Sequence, residues 1–136
     1  MTANEIALTA VKALDSKKGQ DIKCLETGHL TTLADYFVLC TATSTTQIKA
    51  LADVCEKTLK DAGEPPHHVE GHRGGTWILL DFSSVVVHIF NEEAREFYDL
   101  ERLWSDAALV DLSRVLTELS RNKARRDSRR AFFARR

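Results

Sequence analysis

The chain has 136 residues, a formal net charge of −1, 43% hydrophobic and 29% charged residues. That length supports one domain with a substantial core, and the composition is that of an ordinary soluble protein. No apolar run approaches the roughly 18 residues of a membrane-spanning helix, so a helical integral membrane protein is excluded. The N-terminus, Met-Thr-Ala-Asn-Glu-Ile-Ala, has neither a basic n-region nor an apolar h-region, and its early Glu5 is unlike a transit peptide; a cytoplasmic location is expected. Three cysteines, Cys24, Cys40 and Cys55, lie among apolar residues with no C-x-x-C spacing. They read as small buried hydrophobes in a reducing compartment. The near-neutral total hides an asymmetry. Residues Arg121 to Arg136 hold eight basic residues and one acid, Asp127, so that run carries +7 and the rest of the chain −8. A basic tail on an acidic body suggests a polyanion close to the site of action.

In chain order, Thr2-Ala-Asn-Glu5 fits a capping box, and Ile6, Ala7, Ala10, Val11 and Leu14 follow helical spacing, which predicts a helix from Asn4 to about Lys17. Asp21 to Glu26 reads as a strand with Ile22 and Cys24 pointing one way, followed by a loop around Gly28. Tyr36 to Ala42 is continuously apolar and reads as a central strand. Ser44-Thr-Thr-Gln47 is a second capping box opening a helix with the stripe Ile48, Leu51, Ala52, Cys55, Leu59, which Gly63 and Pro65-Pro66 stop. His67 to Gly71 is a short edge strand at best, and His72 to Gly75 a basic turn.

Trp77–Phe82 and Val85–Phe90 form a hairpin pattern around Ser83-Ser84. The second strand is apolar on both faces, as in a strand covered on two sides. The first has one apolar face, Ile78, Leu80, Phe82, and one mixed face, Trp77, Leu79, Asp81, which suits a surface awaiting a partner. Asn91 then caps a helix with Glu92 and Glu93 in its first turn. Leu109, Leu112, Val115, Leu116 and Leu119 predict a further helix from Ala108 to about Lys123. The order implies an α/β (α+β) fold: a mixed sheet of about five strands with helices packed on it.

Chemistry is sparse. Thr41 to Thr46 joins a buried strand to a helix N-terminus, where a phosphate could sit. A nucleotidyltransferase would also need paired carboxylates for Mg²⁺, and no Asp-x-Asp occurs. The bland reading of this turn, helix capping, is preferred. His67, His68 and His72 lack further ligands at metal spacing, and His88 reads as a hydrogen-bonded core histidine. No Ser/His/Asp or Cys/His set is legible, so no catalytic residue, metal site, cofactor or small-molecule substrate is expected. Phe97-Tyr-Asp-Leu-Glu-Arg-Leu-Trp104 has the make-up of a protein-binding hot spot. If the run were all helix, Phe97, Leu100, Trp104 and Tyr98, Glu101 would fall on adjoining faces. The bland reading is that Phe97, Leu100 and Leu103 pack on the sheet, while Tyr98 and Trp104, with polar handles, fit a rim or interface.

Ala34-Asp-Tyr-Phe-Val, Cys40-Thr-Ala-Thr-Ser44, Glu70-Gly71, Trp77-Ile-Leu-Leu-Asp81, Val85-Val-Val-His-Ile-Phe90 and Arg95 to Ala107 together resemble the ribosomal silencing factor family (RsfS, also called Iojap-like or YbeB). The resemblance covers about Asn4 to Ala107. It implies a nucleotidyltransferase-like fold without catalysis and a homodimer. It further implies binding to the large ribosomal subunit through that subunit's protein fourteen, so that the small subunit cannot join and translation is repressed during starvation. Carried over by position, the partner-binding residues are Trp77, Leu79, Asp81, Tyr98, Leu100, Glu101 and Trp104. The sequence departs from the family at Ala42 and at Ser83-Ser84. The chain is thus expected to divide into a family domain, 1–107, and a C-terminal helix with a basic mobile tail, 108–136, whose Arg121–Arg136 run can touch rRNA non-specifically. Large-subunit assembly is the alternative role, and a nucleotidyltransferase-like enzyme or nucleotide sensor a more distant one.

Overall fold

The structure, a computed structural model, describes residues 1–71 and 75–116. Its elements in order are α1 (Ala3–Ser16), β1 (Gln20–Glu26), β2 (Tyr36–Ala42), α2 (Thr45–Asp61), β3 (His68–Glu70), β4 (Trp77–Asp81), β5 (Val85–Asn91), α3 (Glu92–Tyr98), α4 (Leu100–Leu103) and β6 (Ala108–Leu109). The strands form one mixed sheet in the order β3-β4-β5-β2-β1-β6. Its centre is the parallel pair β2–β5, Tyr36 beside Val85 through Ala42 beside Asn91. All other pairs are antiparallel.

Local sequence sets the element ends. Thr2 Oγ1 accepts the Glu5 amide at 3.1 Å and Glu5 Oε1 accepts the Thr2 amide at 3.3 Å, closing the capping box of α1. Ser44 Oγ accepts the Gln47 amide at 3.0 Å, while Gln47 Oε1 reaches back one residue further, to Thr43 N at 2.6 Å. Gln47 Nε2 also donates to the carbonyls of Lys17 and Lys18, tying the end of α1 to the start of α2. The β4–β5 hairpin turns at Ser83, whose φ is +72°. Asp81 Oδ1 accepts the Ser83 amide at 2.7 Å, which offsets a left-handed conformation that a side chain disfavours.

Strand parity divides the core in two. One face of the sheet carries Ile22, Cys24, Val38, Cys40, Ile78, Leu80, Val85, Val87 and Ile89, packed under the apolar stripes of α1 and α2. Leu14, Leu51, Leu59, Leu80 and Val87 are fully buried there, each stabilising the fold by roughly 1.5–3 kcal/mol. The other face carries Leu25, Phe37, Leu39 and Phe90, covered by α3, α4 and the segment to Ala107. That cover reaches β4 only at Trp77, and the Trp77, Leu79, Asp81 side of β4 is half-buried.

The sheet of about five strands is extended by a sixth, β6. Two expectations are corrected. The helix expected from Ala108 is absent over the described residues. Leu109 pairs with Leu25, and the Val110 amide donates to the Cys24 carbonyl at 2.9 Å. The free edge of β1 thus holds this backbone as a strand. Leu112 and Leu116 still bury, and Val115 packs beside them, but from a turn whose amides at Val115 and Leu116 both reach the Leu112 carbonyl. Leu119 and the rest of the expected helix, the Arg121–Arg136 run, and His72 to Gly74 lie outside the described residues. Phe97 and Leu103, expected on the sheet, are 81% and 69% exposed. The left-handed backbone of Asp99 (φ 46°, ψ 54°) breaks the run into α3 and α4, so the single helical face that would carry both onto the sheet does not form; α3 buries Ala94 and Arg95 instead.

Candidate docking face

The half-open face is built from β4 and β5 by register. Trp77 lies beside Phe90, Leu79 beside His88 and Asp81 beside Val86, while β3 adds Glu70 beside Leu79 and His68 beside Asp81. Residues in these pairs share a face. The α3–α4 segment then brings in the second half of the expected site. Tyr98 packs on Trp77 with ring centres 4.4 Å apart, and Phe97 meets Tyr98 edge-on at 5.1 Å. Trp77 also touches Phe90 and His88, each at 5.6 Å. Phe37 stands edge-on to His88 at 5.5 Å and to Trp104 at 5.3 Å. An unbroken aromatic chain therefore runs from Phe97 through Trp77 to Trp104, half sunk in the sheet and half open, with Tyr98 51% exposed.

His88 organises the middle of that chain. Trp77 Nε1 donates to its Nδ1 at 3.1 Å, which places the histidine's own proton on Nε2. Burial pulls its pKa from 6.5 down to about 4. The ring is therefore neutral near pH 7 and serves as an acceptor that fixes the indole plane. The expectation of a hydrogen-bonded histidine is met, at the heart of the face.

The expected residues divide by role. Trp77, Leu79, Asp81, Tyr98 and Trp104 border the open area. Leu100 is half-buried against Phe37's cluster. Glu101 is engaged within the chain: Oε1 accepts Arg95 Nε at 2.7 Å and Oε2 accepts Lys23 Nζ at 3.0 Å. Burial alone would raise its carboxyl, but Arg95 and Lys23 outweigh this and hold it below the usual range. Phe97 belongs to the arrangement from the hot-spot run but was expected on the sheet, and Phe37, Arg95 and Lys23 were not among the residues expected to face a partner. Phe37 was legible in principle, since strand parity places it opposite Val38. Arg95 was not, because its link to Glu101 depends on the break at Asp99.

No catalytic constellation assembles among the described residues, and no group of three His, Cys, Asp or Glu is placed to hold a metal ion. The turn after β2 is occupied by capping bonds, and Thr41 Oγ1 accepts Arg95 Nη1 at 2.7 Å. A cleft of ≈ 560 Å³ beside it is lined by Thr41, Thr43, Glu92, Glu93 and Glu96, a set of carboxylates that repels phosphate. Burial pushes the Cys24 and Cys40 thiols up to about 12 and Cys55 higher still, so none is an available thiolate nucleophile. Among the described residues, no helix is long and apolar enough to cross a membrane.

What the fold and face define is a small α/β domain with one closed, structural face and one aromatic face half open to solvent. The family described as "Ribosomal silencing factor during starvation" matches residues 1–135. The Halalkalibacterium halodurans protein named ribosomal silencing factor RsfS is 34% identical over 117 residues, 86% of this chain and all of that relative. A mouse protein named mitochondrial assembly of ribosomal large subunit protein 1 is 33% identical over 112 residues, 79% of this chain and 49% of its own length. A crystal structure from Chromobacterium violaceum superposes with a TM-score of 0.75 at 41% identity, over 77% of this chain and 88% of that one. The chain belongs to the ribosomal silencing factor family, RsfS.

Proposed function

We propose that this protein docks its aromatic face on the large ribosomal subunit, through that subunit's protein fourteen, and by its bulk keeps the small subunit from joining. It acts in the cytoplasm, as a homodimer and without catalysis. The observation that carries this reading is the continuous chain from Phe97 to Trp104, with Trp77 at its centre. Partly open aromatics on a rigid sheet are the anchors from which protein–protein hot spots are built. Asp81 and Glu70 border them on β4 and β3, so the complementary surface is apolar at its centre and basic at its rim. The basic run Arg121–Arg136 adds a non-specific electrostatic hold on rRNA.

The test is co-sedimentation with separated subunits, followed by a joining assay. Binding to large subunits and a fall in joined particles are expected. A protein that binds and leaves joining unaffected would overturn the steric mechanism. Deleting Arg121–Arg136 should weaken association mainly at low salt, and a loss equal at all salt concentrations would contradict its electrostatic role. A second reading, assistance in large-subunit assembly, is favoured by the name of the mouse relative. It predicts precursor particles on sucrose gradients when the protein is removed.

A further inference from the structure

We infer that Arg95 is the positioning residue of the docking face, and that Glu101 acts on the partner through Arg95 instead of by contact. The inference rests on the docking reading above and names what holds that surface in shape. Arg95 starts on α3, yet only 7% of its side chain is exposed, because the guanidinium lies under α3–α4 against the sheet. Nη1 donates to the Asp21 carbonyl of β1 at 2.6 Å and to Thr41 Oγ1 of β2 at 2.7 Å. Nε donates to Glu101 of α4 at 2.7 Å, and the Phe90 ring centre lies 5.9 Å from the guanidinium carbon. One side chain thus joins four elements.

The backbone is bent to serve it. Asp21 is left-handed (φ 46°) where the β1–β2 register slips between Gln20 and Lys23, and its carbonyl is aimed at Arg95. Asp99 is left-handed too, and the Arg95–Glu101 bond spans it from α3 to α4. Side-chain-bearing residues hold such a conformation only where their surroundings determine it. Both departures converge on Arg95. The break at Asp99 sets the angle between α3, which carries Tyr98 onto Trp77, and α4, which leads Trp104 onto Phe37. Both Glu101 oxygens already accept, one from Arg95 and one from Lys23, and its influence on a partner passes through that angle. The core under α1 and α2 takes no part in the network.

The experiment uses the full chain with Glu101→Gln, Arg95→Lys and the double variant, read in two ways. Near-ultraviolet circular dichroism of the free protein reports the Trp77–Tyr98 and Trp104–Phe37 couples. Affinity for large subunits reports docking. Each single variant should lose much of the near-ultraviolet signal with an unchanged far-ultraviolet spectrum, and should bind large subunits on the order of tenfold more weakly. The double variant should lose little more than the worse single one, as residues acting through each other do. Keeping the positive charge in Arg95→Lys should not preserve the face, because an ammonium cannot span three acceptors as the planar fork does. Losses that add, with the near-ultraviolet signal intact, would mean that Glu101 touches the partner itself and would overturn the inference. If Arg95→Lys fails to fold, the near-isosteric Glu101→Gln decides alone. Trp77→Ala serves as control: if it leaves affinity intact the docking reading falls, while the spectroscopic arm still judges the positioning role.

Discussion

Acid should loosen this protein before its carboxylates begin to protonate, and His88 sets the size of the effect. In the folded chain burial holds the pKa of His88 at about 4, against 6.5 ordinarily. A folded value below the unfolded one means that the unfolded chain takes up the proton first. The stability associated with neutral His88 is therefore complete above pH 6.5 and is lost as pH falls toward 4. The whole gap of roughly 2.5 units corresponds to about 3 kcal/mol, of which about 2 kcal/mol is gone by pH 5. Protonation would also turn Nδ1 into a donor facing the indole N–H of Trp77, now 3.1 Å away. Glu101, with its carboxyl held low, loses its contribution only at more acid pH and stays out of this window. Urea unfolding at pH 7.5, 6.5, 5.75 and 5.0 measures the effect. With a slope of about 1–1.5 kcal/mol per molar for a domain of this size, the midpoint should fall by roughly 1.5 M. A His88→Gln variant should be less stable at neutral pH and nearly flat across the range. If it keeps the same pH slope as the parent, the reasoning about His88 is wrong.

Trp77→Ala should weaken binding to large subunits by about 2 kcal/mol or more, roughly thirtyfold, measured by co-sedimentation. Trp77→Phe, which loses the bond to His88 but keeps an aromatic ring, should fall in between. Gly71→Ala should destabilise the fold by at least about 2 kcal/mol. Gly71 has φ +94°, and an added Cβ would be driven into the Trp77 carbonyl oxygen; an unchanged urea midpoint would refute this. The three thiols, all buried, should resist a charged thiol reagent at pH 8 in the native protein and react fully in denaturant. Rapid native labelling would contradict their placement.

What could be read from the sequence followed from periodicity. The 3.6-residue stripes gave α1 and α2, and alternation along Trp77–Asp81 separated its buried side from its half-open one. The same alternation placed Val86 and Phe90 away from Val85, Val87 and Ile89. What could not be read depended on contacts distant in the chain. Leu109, Leu112 and Leu116 have helical spacing, but a free sheet edge 84 residues upstream, at Leu25, decided the conformation of Leu109. The break at Asp99 is likewise invisible locally, since Asp-Leu-Glu-Arg-Leu contains no Gly or Pro. Across it, Arg95 bonds to Glu101 while also reaching β1 and β2. Hence Phe97 and Leu103 were expected inside and are outside, and Tyr98 and Trp104 were expected at the rim and border the open area.

The interruption at Asp99 also constrains length. A helical residue advances the chain by about 100° around its axis, so adding or removing one position between Tyr98 and Trp104 would swing the second indole off Phe37 however well the new residue tolerated water. Exchanges at outward-facing Arg102 or Leu103 leave this phase untouched. Across relatives, spacing in this stretch should be kept more strictly than spelling, and a one-residue slip should silence the face while the helices beneath the sheet stay folded.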